Sequence, residues 1–73
     1  MPSKYPVLKP DEVIKRLEKF GFCYVSQSGS HRKMSNGTNK CVIPMHDEVA
    51  KGTLKSILAQ ANVSLEDFMD VKI

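Results

Sequence analysis

At 73 residues the chain has room for a single domain spanning 1–73 with one thin core, since a short chain buries a smaller share of its surface. Its 41% hydrophobic and 26% charged content argues against wholesale disorder, and no apolar run is long enough to cross a membrane. A net charge of +3 with a pI of about 9.0 pulls only mildly toward anionic partners, so charge has to be read by position.

After a Pro-containing lead, Val13, Ile14, Leu17 and Phe20 recur at helical spacing, with Lys15, Arg16, Glu18 and Lys19 filling the other face. That pattern predicts an amphipathic helix over 10–20. Pro10 suits its first turn, Asp11 and Glu12 suit its positive dipole end, and Gly21 supplies a left-handed stop. Phe22 to Gln27 is rich in aromatic and β-branched residues and reads as a strand, although Cys23 and Val25 blur its alternation. Ser28-Gly29 turns the chain into a second, polar strand, Ser30 to Ser35. Asn36-Gly37, the pair best able to form a two-residue hairpin loop, turns it into a third, Thr38 to Ile43, stopped by Pro44.

From Leu54 the helical pattern returns through Ile57, Leu58 and Ala61, with Asn62 as its stop. Ser64 and Asp67 stand at capping-box spacing, and Val63 and Phe68 are placed as a hydrophobic staple, so a short last helical turn follows. Three antiparallel strands with both helices on one face give an α+β domain of order α-β-β-β-α, whose other sheet face is left free for a partner.

Residues 1–63 hold ten Lys and Arg against five Asp and Glu, whereas residues 64–73 hold one against three. The body is basic and the tail acidic. No carboxylate lies between Glu18 and Asp47, while Arg32, Lys33 and Lys40 do, so a surface built there suits phosphate. Met1 to Leu8 lacks the apolar block and cleavage site of a secretory signal, which makes the expected location cytoplasmic. Cys23 and Cys41 form no CxxC pair and read as free thiols in or beside the sheet.

His31 follows Gly29-Ser30 and precedes Arg32-Lys33, which joins a titratable base, an unobstructed approach and cations in five residues. RNA cleavage without a metal needs one group to take the 2′-hydroxyl proton, one to protonate the 5′-oxygen, and positive charge on the transition state. His46 sits in Pro44-Met45-His46 before Asp47 and Glu48, but no further His or Cys stands at ligand spacing. The cluster therefore reads as a loop histidine contacting phosphate or supporting proton transfer, with no metal or other cofactor expected. Lys51 and Lys55 share a face at the start of the second long helix, as phosphate contacts or as a solvated charged face. Gly52-Thr53 permits close packing or local capping and is not a phosphate loop. The aromatic residues are too scattered to predict a base-stacking platform and read as core or edge positions.

Gly21-Phe22, Gly29-Ser30-His31, Pro44-Met45-His46 and Gly52-Thr53-Leu54 running into Ile57-Leu58-Ala59-Gln60-Ala61 resemble, in order and spacing, the HicA family of toxin endoribonucleases from about Leu8 to Phe68. The resemblance implies a double-stranded-RNA-binding-domain-like fold, cleavage of mRNA, and neutralisation by a HicB-type antitoxin. The family's catalytic histidine falls on His31 and the histidine of its Pro-x-His segment on His46, with Ser30 beside the first. RNA contacts are expected at Gly29, Arg32, Lys33, Lys40, Lys51 and Lys55. The chain departs from the common pattern at Met34, where an aromatic residue is usual, and the lost ring bears on base stacking or on packing. The same basic face also suits a non-catalytic module for double-stranded RNA, with His31 as one polar contact among several, or an interaction domain using its sheet face.

Overall fold

The computed structural model describes residues 5–72, in the order α1 (Pro10–Glu18), β1 (Cys23–Ser28), β2 (His31–Ser35), β3 (Lys40–Pro44), α2 (Lys51–Ala61) and α3 (Leu65–Asp70). The strands form one antiparallel sheet in the order β1-β2-β3, the α+β arrangement of the double-stranded-RNA-binding-domain type.

In α1, Pro10 stands in the first turn with Asp11 and Glu12, while Val13, Ile14 and Leu17 are buried. The helix ends at Glu18, two residues short of the expected Phe20. Gly21, at φ +85°, lets its own amide and that of Phe22 fold back onto the carbonyls of Glu18 and Leu17. Arg16, on the face opposite the apolar stripe, is not solvated. Its side chain is only 13% exposed, is paired with Glu12, and donates from Nη1 to the carbonyls of Phe68, Met69 and Val71 at the end of α3.

β1 starts at Cys23 and not at Phe22, whose amide is bonded back to the carbonyl of Leu17 at the end of α1 and whose side chain is in the core. The tight hairpin also lies elsewhere than expected. Ser28 pairs with His31, leaving Gly29-Ser30 as the two-residue loop. Only Gly29 has a positive φ, +58°, which fits the mirror-image turn that takes glycine first. Between β2 and β3 the loop has four residues, Asn36 to Asn39, since Ser35 pairs with Lys40. The Asn36 side chain explains the widening: its Oδ1 accepts from the amides of Thr38 (2.9 Å) and Asn39 (2.7 Å), a local turn that competes with the two-residue form.

Burial alternates along β2 and β3, so Arg32, Met34, Cys41 and Ile43 face the helices while His31, Lys33, Ser35, Lys40, Val42 and Pro44 face away. Both α1 and α2 lie against β3. Gln60 on α2 accepts from the Val42 amide at 3.2 Å, which occupies a donor on the outer edge of that strand. β1 is exposed along its whole length, so the β1–β2 hairpin projects past the helices. One core joins Val13 and Leu17 of α1 with Phe22, Ile43, Leu54 and Phe68. Met34 belongs to it at 1% exposure, so a ring at that position would pack inside and could not stack on a base.

Asn62 caps α2 in the left-handed conformation, φ 59°, and the Ser64 side chain accepts from the Asp67 amide at 3.1 Å at the start of α3. Val63 packs against the core that holds Phe68, as a staple requires. Gly52 departs from its expected packing or capping role: a Cβ there would meet nothing within 4 Å, and α2 has no side-chain cap. No helix among the described residues is long and apolar enough to cross a membrane.

Candidate active site and nucleic-acid interface

His31 is the first residue of β2, directly after the tight turn, and its rung pairs it with Ser28 on one side and Pro44 on the other. It points to the helix-free face and is exposed. Pro44 has no amide proton, so the ladder continues past it through the next residue, and the Met45 amide donates to the carbonyl of Ser30. That bond clamps the segment after β3 against the turn. The clamp places His46 beside His31, with ring centroids 6.3 Å apart and planes at 87°. The sequence separates these imidazoles by fifteen positions; the third strand brings them together.

The cations divide into three places. Lys33 lies two residues from His31 on the same sheet face, and Lys40, paired with Ser35, lies one diagonal further along that face. All three are exposed, which makes a polar strip of one imidazole and two ammonium groups. Arg32 alternates to the opposite face, where it is half-buried. Its Nε donates to Gln27 Oε1 at 3.0 Å, its guanidinium carbon lies 5.4 Å from the Tyr24 ring centroid, and Gln27 Nε2 in turn donates to the Gly29 carbonyl at 3.0 Å. Lys51 and Lys55 are exposed in the first turns of α2. Lys55 borders a groove with Leu58, Val63 and Glu66 and not the sheet.

Gly29 is exposed, and nothing lies within 4 Å of where its Cβ would be, so the approach to the turn is open. Ser30 enters the site through its backbone carbonyl. Cys41 is buried in the core, where desolvation pushes its thiol up to about 11, whereas Cys23 is exposed; both are free. Among the described residues no group of three or more His, Cys, Asp or Glu side chains is placed to hold a metal ion.

Tyr24, one of the aromatic residues read as core or edge positions, lies on the edge strand β1. At 60% exposure it lies under Arg32 on the projecting hairpin. From the Gly29-Ser30 turn the register sets Gln27 opposite Arg32, and a bulge between Tyr24 and Ser26 then brings Tyr24, in place of Val25, opposite Met34 on the face that Arg32 shares.

Residues 10–63 match the family described as the HicA toxin of bacterial toxin–antitoxin systems, which is most of the chain. Among curated proteins nothing matches it.

Proposed function

The chain belongs to the HicA toxin family, whose members are the toxin half of a toxin–antitoxin pair, and from that premise we propose that it is an endoribonuclease that cleaves mRNA by transesterification at His31. The observation that carries this reading is the pairing of His31 and His46 at 6.3 Å on an exposed rim next to Lys33.

In the proposed reaction the 2′-hydroxyl oxygen attacks the adjacent phosphorus while one imidazole takes its proton. The bond from phosphorus to the 5′-oxygen breaks, and the other imidazole, protonated at the start, gives that oxygen its proton. The products are a 2′,3′-cyclic phosphate and a free 5′-hydroxyl, so protons balance within the pair. Imidazole is the side chain able to serve in either role near neutrality, and two together divide the work. Lys33 and Lys40 add positive charge where the phosphorane gathers negative charge. The open turn at Gly29-Ser30 admits the backbone of the substrate, and Arg32, Lys51 and Lys55 extend the phosphate contacts. No cofactor takes part in this scheme.

The partner in this reading is a HicB-type antitoxin that covers the rim around His31. β1 gives it an exposed strand edge, in contrast to β3, where Gln60 already occupies a backbone donor. The site of action is the cytoplasm, where mRNA is found.

The test is a time course of RNA cleavage in EDTA with wild type and His31→Ala, on an RNA and on its copy with a single 2′-deoxy substitution at the cut site. Wild type should cut only the first, and the variant should be slower by about a hundredfold or more. Binding without cleavage would favour the non-catalytic RNA-binding reading. Equal cutting of the deoxy strand would rule out attack by the 2′-hydroxyl.

A further inference from the structure

We propose that Tyr24, Gln27 and Arg32 form a second nucleotide site, which holds an unpaired nucleotide of the RNA that His31 acts on. The proposal rests on the RNA-directed reading above.

The trio is placed as a binding site would be and not as a core would be. Tyr24 is 60% exposed on a strand that projects past the helices, so its ring contributes little to the interior. Arg32 is nevertheless fixed: Nε is bonded to Gln27 at 3.0 Å and the guanidinium lies over the Tyr24 ring at 5.4 Å. Gln27 is fixed in turn by the Gly29 carbonyl. Holding a long side chain in one geometry costs rotamer freedom, and a half-exposed arginine with no acidic partner gains little stability in return. Among the described residues its two terminal nitrogens have no hydrogen-bond partner, so the fork is presented to solvent already oriented. Arg16 differs, since its terminal nitrogens are spent on Glu12 and α3.

The occupant follows from charge and shape. No carboxylate occurs from residue 19 to residue 46, so the hairpin attracts an anion. An oriented guanidinium beside an exposed ring offers a fork to phosphate or to a base edge and a flat surface to a base plane. Stacking of that kind requires a base outside a duplex. The rungs Gln27–Arg32 and Ser28–His31 are adjacent but face opposite sides of the sheet, so a strand engaging both sites must round the open Gly29-Ser30 turn. A flexible single strand can do this; a continuous helix cannot.

The experiment measures equilibrium binding, by fluorescence anisotropy, of labelled single-stranded RNA and of the same RNA fully paired, all in the His31→Ala background so that cutting is slowed well below the time of the reading. Tyr24→Ala should weaken single-strand binding roughly tenfold, as loss of a stacked base does, and leave duplex binding within about twofold, whereas Arg32→Ala should weaken single-strand binding at least as much and cost the duplex only its one phosphate contact. Tyr24→Phe should bind like the parent. Arg32→Lys should lose nearly as much as Arg32→Ala while keeping the salt dependence of the parent, because the charge stays and the oriented fork is lost. Circular dichroism melts confirm that each variant is folded. Unchanged single-strand binding in Tyr24→Ala, equal losses on both RNAs, full rescue by lysine, or weakened antitoxin binding with RNA affinity intact would each overturn the site. Because binding and cleavage are read separately, loss of cutting in wild type would refute the nuclease reading while leaving this one standing.

Discussion

Arg16 Nη1 lies 2.8 Å from the carbonyl oxygen of Val71, a bond that joins the last turn of α1 to the residue that closes α3. The same nitrogen also reaches the carbonyls of Phe68 and Met69, and the guanidinium lies 5.8 Å from the Phe68 ring. A cation there complements the negative end of a helix of only six residues. The acidic tail is therefore held by a buried-stem arginine and not by its own helical propensity.

Arg16→Ala should lower stability by about 1–3 kcal/mol, the usual worth of hydrogen bonds to a charged donor that leave partners unpaired. In a domain of this size that is a fall in melting temperature of roughly 5–20 °C. Hydrogen exchange should accelerate first at Phe68 to Val71. A melting temperature within a degree of wild type would show that the contacts contribute nothing.

The two thiols should differ sharply. Cys23 is exposed and should react with a thiol reagent at once under native conditions, whereas Cys41, buried and pushed up to about 11, should react only after unfolding. Because the folded thiol holds its proton to a higher pH than the ordinary value of 9.0, its contribution to stability is fully present below pH 9. It is lost as pH rises from 9 to about 11, since the unfolded chain ionises first. The alkaline fall in melting temperature should therefore be smaller in Cys41→Ala than in wild type, and equal falls would contradict the assignment.

Helices, strands and core were legible in the sequence wherever local chemistry decided them. Gly21, Asn62 and Ser64 end or begin helices as read, and the four apolar positions that recur from Leu54 to Ala61 are the buried face of α2. The errors have a common cause, which is that side chains compete with backbone rules. Asn36 spent its oxygen on two amides and widened the loop that Asn-Gly predicted, while the two-residue turn lies in the other hairpin, at Gly29-Ser30. The carbonyl partners of Arg16 lie more than fifty residues away, so nothing local points to them. At the site, His31 could be singled out from its neighbours, but its meeting with His46 depends on the Met45–Ser30 bond, a tertiary fact. For the same reason Tyr24 was passed over: its ring acquires a role only when the register sets Arg32 over it.

Two glycines should respond oppositely to alanine. At Gly29 a Cβ finds open space, but φ +58° is strained for any L residue, so Gly29→Ala should cost about 1–2 kcal/mol. At Gly52, within α2 and equally open, Gly52→Ala should stabilise the fold by about 0.5–1 kcal/mol. Urea melts of the two variants read both signs, and a stabilising Gly29→Ala would contradict the turn geometry.

The lysines can be ranked by salt dependence. Removing Lys33 and Lys40 together from the strip beside His31 should lower the slope of log K against log salt for single-stranded RNA by roughly 1.4, about 0.7 per lost phosphate contact. Lys51 and Lys55 together should lower it by less, because Lys55 borders the groove toward Glu66 and not the sheet. A larger loss from the helix pair would move the RNA path off the sheet face.

His46 offers the sharpest test of a two-imidazole reaction. If one ring must be neutral to take the 2′-hydroxyl proton and the other protonated to supply the 5′-oxygen, kcat/KM should be bell-shaped in pH, with one limb from each group. Removing His46 should abolish one limb and slow the reaction by about a hundredfold or more, whereas a mere phosphate contact would lower the rate at every pH by one factor. The leaving group separates the roles further. An RNA analogue with a 5′-thio leaving group, which departs without needing a proton, should restore near wild-type rates to whichever variant lacks the acid and leave the variant lacking the base slow. Rescue of His46→Ala but not of His31→Ala would make His46 the acid and His31 the base, and the reverse pattern would exchange them. Rescue of neither, with the bell preserved in His46→Ala, would remove His46 from proton transfer and leave its 6.3 Å approach to His31 a matter of packing on the rim.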